Sequence, residues 1–323
     1  MTYRQLGDSG LMVSTVGLGC NNFGRRLDQA ASVRVIHAAL DAGITLLDTA
    51  DIYGDDGQSE LFVGAALKDR RERAVLATKF AMPMGDGVEG PYNHGGSRHY
   101  LRRAVEASLR RLATDHIDLY QMHRPYPSSP IEETLATLDD LVREGKLLYI
   151  GSSNLSGWQI ADADWIARTR HLERFISAQN HYSLVERGVE KEVIPACRRF
   201  GVGMLPYFPL ADGLLTGKYH RGEQAQEGSR LAGGHARSEY RFSDRNWAIL
   251  EGLEGFARER SISLLDVAFG GLAAQAQVAS VIAGATRVEQ VEANARTVEW
   301  TPTSEDLAEL DRISPPPAAE GSD

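Results

Sequence analysis

Short apolar runs alternate with amphipathic segments along nearly the whole chain. Eight runs stand out: VGLGC (16–20), ITLLDTA (44–50), AVLATKF (74–80), IDLYQMH (117–123), LLYIGSSN (147–154), FISAQNHY (175–182), GVGMLPYFP (201–209) and VASVIAG (278–284). Each is short and almost continuously apolar, which suits strands covered on both faces of a parallel sheet. The segments between them carry apolar residues at helical spacing. In 100–112, Leu101, Val105, Leu109 and Leu112 share one face and arginines take the other. In 130–143, Ile131, Leu135, Leu138 and Val142 form a stripe that Leu141 widens. Ser129 predicts the cap of that helix, with Pro130 in the first turn and Glu132 as the capping-box partner. Ser263 and Asp266 repeat the signature in weaker form.

Eight strand-then-helix units predict an α/β fold, a (β/α)8 TIM barrel forming a single domain over residues 1–323. The competing arrangement is an open doubly wound sheet, which requires a G-x-G-x-x-G turn after its first strand. VGLGCNNFG offers Gly17 and Gly19, but Asn22 stands where the third glycine belongs. Three stretches fall outside the repeat. Residues 2–15 read as a hairpin around GDSG, placed to plug the barrel floor. Residues 210–241 form a long connection, either a functional loop or a disordered one. SPPPAAEGSD ends the chain as a polar, flexible tail from about residue 315 to 323.

Composition narrows the partners. The 323 residues are 42% hydrophobic and 24% charged, with a net charge of -9. An acidic surface argues against nucleic acid and anionic membrane, and leaves small molecules. Cys20 and Cys197 lie far apart in no CxxC pair and read as reduced thiols. The first residues lack the apolar run of a signal peptide, and no stretch is apolar enough to span a bilayer. The expected compartment is the cytoplasm. The sequence carries no signal of oligomeric state.

In a barrel the strand ends share one mouth. Asp48 ends the second strand, with Tyr53 in the loop beyond it; Lys79 ends the third and His123 the fourth. Each alone has a plain structural explanation: a cap, a rim residue, a snorkelling lysine, a core histidine. Together they suit proton transfer coupled to carbonyl reduction. A phenol titrates near 10, and an adjacent ammonium is expected to lower that value. Asp48 would fix Lys79, and His123 would polarise the carbonyl. No residue in this set supplies hydride, so a nicotinamide cofactor is implied.

The motifs GITLLDTADIYG, ATKF, LYQMHRP, IGSSN, AQNHYS, LPYFPLADGLLTGKY and VIAGATRVEQVEAN occur in order. On these the chain resembles the aldo-keto reductases over about residues 3–313. It is most similar to the branch that includes bacterial members and potassium-channel β subunits. The resemblance implies Tyr53 as proton donor, completed by Asp48, Lys79 and His123. It implies that Ser153, Asn154 and Gln179 hold the nicotinamide carboxamide and that Tyr207 stacks on the ring. Gly19, Cys20 and Asn21 would line the cofactor after the first strand. Phe208, Pro209, Leu210, Gly213 and Lys218 would wrap the pyrophosphate. Gly284, Thr286 and Arg287 would lie at the adenosine 2'-phosphate, with Gln290 and Asn294 at adenine. Arg287 favours NADPH, with NADH as the alternative.

Two departures from the family pattern bear on selectivity. Phe208 lacks the hydroxyl that many relatives place there, and Cys20, Asn21 and Asn22 follow the first strand in an unusual combination. The substrate is expected to be a small carbonyl or alcohol: a polar aldehyde, ketone or keto-sugar rather than a steroid. The loops 81–97 (Met82, Met84, Tyr92, His94) and 124–130 (Tyr126) are expected either to wall its pocket or to form mobile surface. Two other readings compete: a cofactor-binding regulatory subunit with little turnover, and a metal-dependent hydrolase. The second can nominate only His123 and Asp48 as ligands.

Overall fold

A computed structural model describes residues 1–84, 94–227, 229–232 and 236–318, with only the backbone of 236–238. The expected pocket residue Tyr92 and the end of the tail, 319–323, lie outside the described residues.

The chain opens with two antiparallel strands, β1 (Tyr3–Gln5) and β2 (Met12–Ser14). Among the described residues, eight parallel strands follow: β3 (Val16–Gly19), β4 (Leu46–Asp48), β5 (Val75–Phe80), β6 (Ile117–Met122), β7 (Leu147–Ser153), β8 (Phe175–Gln179), β9 (Gly203–Met204) and β10 (Val281–Gly284). They pair in chain order, and β10 pairs with β3. The ring closes where Met204 bridges Val278, the Ala279 amide donating to the Met204 carbonyl at 3.0 Å. This is the expected (β/α)8 barrel.

The helices are α1 (Gln29–Asp41), α2 (Gln58–Leu67), α3 (Arg98–Leu112), α4 (Ile131–Arg143), α5 (Gly157–Arg170), α6 (Val193–Phe200), α7 (Ala236–Arg241), α8 (Asp244–Glu259), α9 (Leu264–Ala273), α10 (Val288–Arg296) and α11 (Ser304–Ile313). Their apolar stripes face the strands. Leu101, Val105, Leu109 and Leu112 of α3 and Leu135, Leu138 and Leu141 of α4 are buried in the layer between helices and barrel. Inside the barrel floor, Leu6 and Val13 of the hairpin region pack with Leu46, Ala77, Leu119 and Leu205. The Asp8 amide donates to the Gly201 carbonyl at 2.7 Å, tying the hairpin turn to the approach of β9. The N-terminal hairpin therefore plugs the floor, as expected.

The cap of α4 differs from expectation. Pro130 occupies the cap position and no side chain bonds there. The Ser129 hydroxyl instead accepts from the Gly96 amide at 3.1 Å. The Ser263–Asp266 capping box is present, and Ser156–Gln159 and Thr303–Asp306 form two more. The connection after β9 is folded where it is described. Leu214, Leu215, Tyr219 and Leu231 are buried against α8 and α9 in a second apolar cluster. Cys20 and Cys197 are free and buried, and burial pushes both thiols up, Cys197 to about 12. Among the described residues no helix is long and apolar enough to cross a membrane.

Candidate active site

Register sets the site. Gly19 lies beside Asp48, Asp48 beside Ala77, Lys79 beside Gln121, and Ser153 beside Gln179. The polar ends of five consecutive strands are thus gathered at one rim. Asp48 is 3% exposed and Lys79 fully buried. The Lys79 ammonium donates to Asp48 Oδ2 at 2.7 Å and to the Thr49 carbonyl at 2.9 Å. It lies 3.4 Å from the Tyr53 hydroxyl and 4.9 Å from that ring's centre. Asp48 Oδ1 accepts from the amides of Gln121 at 3.1 Å and Gln179 at 2.8 Å. A charge-assisted pair with this many partners satisfies the carboxylate and fixes the lysine.

Burial pushes the Lys79 ammonium down, but Asp48 and the Tyr53 hydroxyl push it up further, so it stays charged. The phenol of Tyr53 departs from expectation. Desolvation of its hydroxyl raises it above the ordinary value; Lys79 pulls it back and Asp48 adds to the rise. The expected lowering fails because the phenolate must be stabilised against burial and a carboxylate as well as beside an ammonium. His123 follows β6 directly, its amide bonded to the Phe80 carbonyl at 2.9 Å. Its ring meets Tyr53 edge-on, with 5.9 Å between centres. Burial, then Lys79 and Arg124, hold the imidazole down to about 3, so it is neutral at pH 7. Nδ1 is buried with no partner among the described residues. The tautomer protonated at Nε2 avoids an orphaned donor there.

A cavity of about 1140 Å³ opens over this floor. Of the residues expected to serve catalysis or the cofactor, Lys79 alone does not line it; Asp48, Tyr53, His123 and every residue expected at the cofactor do. Some already have work. The Asn154 amide donates to the His123 carbonyl at 2.9 Å and accepts from the Tyr207 hydroxyl at 2.8 Å. The Ser153 hydroxyl donates to the Gln179 carbonyl at 2.7 Å. The Gln290 amide oxygen accepts from the Thr286 amide at 2.8 Å and steadies the turn into α10. His181 stacks on one face of Tyr207, with 5.5 Å between centres and planes 11° apart. Gly213 has φ +95, and a side chain there would meet Lys218 Nζ at 2.8 Å. The bare backbone lets that ammonium lie close over the turn.

The donor set fits a dinucleotide. Amide and hydroxyl groups gather beside Tyr207, a glycine turn carries Lys218, and Arg287 stands before α10. Among the described residues no three His, Cys, Asp or Glu side chains converge as metal ligands.

Of the two loops expected either to wall a substrate pocket or to form mobile surface, 124–130 reaches the cavity through Arg124 and Pro125, and 81–97 is described only at 81–84 and 94–97. Met84 is buried, His94 packs on Tyr126 with 4.8 Å between ring centres, and neither they nor Met82 line the cavity. Arg26, Arg124, Pro125 and Arg230 do. Arg230 lies over the Phe208 ring at 5.5 Å and donates to Asn22 Oδ1 at 3.3 Å. Gln121 was not singled out in the sequence. Its signal was a polar residue within an otherwise apolar strand.

The family model described as Aldo/keto reductase family matches residues 15–315. A Bacillus subtilis (strain 168) oxidoreductase, YrpG, is 38% identical, covering 99% of this chain and 98% of its own. A probable aldo-keto reductase 1 of Glycine max is 34% identical over 95% of this chain and 87% of its own. A probable voltage-gated potassium channel subunit beta of Oryza sativa subsp. japonica is 34% identical over 94% and 92%.

Proposed function

The chain belongs to the aldo/keto reductase family, and on that premise we propose that it is a single-domain, cytoplasmic, NADPH-dependent reductase of small carbonyl compounds. The observation that carries this is the Tyr53 hydroxyl 3.4 Å from Lys79 Nζ, at the floor of a cavity of about 1140 Å³.

Ser153, Asn154 and Gln179 would hold the carboxamide, and Tyr207, backed by His181, would carry the ring. Lys218 and the Gly213 turn would take the pyrophosphate. Arg230, braced on Phe208, stands in for the missing hydroxyl there. Arg287 would take a 2'-phosphate. When bound, reduced nicotinamide supplies the hydride that reaches the carbonyl carbon. The Nε2–H of neutral His123 donates to the carbonyl oxygen and polarises it. Tyr53 enters protonated, because burial holds its phenol up, and gives its proton to that oxygen as charge develops. Lys79 stabilises the phenolate as it forms, and Asp48 holds Lys79 in place. Tyr53 regains a proton from water. The balance is carbonyl, NADPH and one proton giving alcohol and NADP+.

The test follows nicotinamide absorbance with NADPH and then NADH over a panel of aldehydes, ketones and keto-sugars. Tyr53→Phe keeps the ring and loses the proton, so kcat should fall by about 10²–10⁴-fold. Undiminished turnover in that variant rules out Tyr53 as the donor. The similarity to a channel β subunit favours one other reading, a cofactor-binding regulatory subunit. Tight NADPH binding with no turnover across the panel would select it.

A further inference from the structure

The protein carries a net charge of -9, yet Arg26, Arg124, Lys218, Arg230 and Arg287 all line its main cavity. Among the described residues the lining carboxylates are fewer, namely Asp48, Asp212 and Glu227. The first two are already paired, with Lys79 at 2.7 Å and with Arg241 at 3.0 Å. Lys218, Arg230 and Arg287 suffice for the phosphates of a dinucleotide. Arg26 and Arg124 are left over.

Arg26 lies in the turn after β3, and Arg124 directly follows His123. Neither guanidinium has a hydrogen bond or ion pair among the described residues, and both are exposed. Arg124 is close enough to His123 to help keep its imidazole neutral. Arg26 also lines an adjoining cavity of about 660 Å³ that reaches Tyr53, where Arg25 joins it and Asp55 is the one lining carboxylate among the described residues. Unpaired guanidinium groups beside a concave, partly apolar site raise the local concentration of anions and bind oxyanions in a fork. A neutral aldehyde would leave both unused.

We infer that the carbonyl substrate carries an oxyanionic group, a carboxylate or a phosphate, received by Arg26 and Arg124 beside Tyr53 and His123. This rests on the reductase reading and narrows it. It differs from the keto-sugar expectation in requiring a negative charge on the substrate.

The experiment measures kcat/KM for two matched pairs with NADPH: 4-formylbenzoate against its methyl ester, and glyceraldehyde 3-phosphate against glyceraldehyde. The anion of at least one pair should be favoured by about tenfold or more, and the pair that responds identifies the oxyanion. In the R26A/R124A double variant that ratio should fall toward one, while R26K/R124K should keep most of it. NADPH affinity, read by fluorescence titration, should hold in both. Neutral partners turned over as well as the anions would overturn the inference and leave the reductase reading standing. So would a loss of NADPH affinity that matches the loss of turnover in R26A/R124A, since the arginines would then serve the cofactor. No NADPH oxidation with any of these compounds, or with the wider panel, would remove the reductase reading and this inference together.

Discussion

Asp51 stands in the chain between Asp48 and Tyr53, yet it belongs to a different network. It is 1% exposed. Its Oδ2 accepts from the Tyr100 hydroxyl at 3.2 Å, and Oδ1 has no partner among the described residues. Burial, and then the carboxylate of Glu60, hold it well above the usual carboxyl range, with Arg111 offsetting part of this. The consequence for stability has a definite sign. Below about pH 3.9 both folded and unfolded chains carry the proton, and Asp51 costs nothing. Above it the unfolded chain releases the proton and the folded one does not, so stability falls by up to about 1.4 kcal/mol per pH unit until the folded value is reached. Asp51→Asn keeps an acceptor for Tyr100 and removes this term. Urea midpoints of variant and parent should agree near pH 4, with the variant gaining as the pH rises above that. Midpoints that run parallel across that range would mean Asp51 is ionised in the fold. None of this was legible in DTADIYG, where a loop aspartate reads as solvated. Asp48, Tyr53, Lys79 and His123 were legible because each interrupts or follows an apolar run at a strand end. The direction of the Tyr53 shift was not, since it depends on burial that no spacing encodes.

Among the secondary-structure elements, the sequence carried strand identity well and strand extent poorly. The run 201–209 contracts to Gly203–Met204. Leu205 and Tyr207 still donate to the carbonyls of Ala178 and Asn180, but Pro206 between them has no amide to give, and the ladder breaks. The Ser129 cap failed for a related reason. Its hydroxyl is drawn to Gly96, a partner from another segment that local pattern cannot reveal. A similar long-range contact governs α2. Gly64 sits where a side-chain carbon would come within 2.6 Å of the Leu112 carbonyl at the end of α3. Helix propensity alone favours Gly64→Ala by about 1 kcal/mol. Overpacking costs about 1–3 kcal/mol, toward the upper end where the obstacle is backbone that cannot rotate away. The clash should win. Gly64→Ala should lower the denaturant midpoint with helical content retained, and a raised midpoint would show that α2 and α3 separate freely.

At the level of the whole molecule, the cavity is a product of closure. Its lining runs from Gly19 to Asn294, drawn from the turns after β3, β6, β9 and β10. The long connection after β9 reaches it on an apolar cluster of its own with α8 and α9. A ligand that spans these segments joins parts of the chain that separate on unfolding, so it should stabilise the whole fold. At a hundredfold excess over Kd the gain is about 2.7 kcal/mol. Unfolding entropy for a chain of this length is about 0.7 kcal/mol per kelvin, so Tm should rise by about 4 °C. If Arg287 receives a 2'-phosphate as proposed, NADPH should give the larger shift at equal concentration, since NADH has no such group to offer the guanidinium. Arg287→Ala should bring the NADPH shift down to that of NADH while leaving the NADH shift unchanged. Equal shifts in the parent protein would detach Arg287 from cofactor choice. A shift from neither nucleotide would leave the cavity without its proposed occupant, whatever the geometry of Tyr53 and Lys79 at its floor.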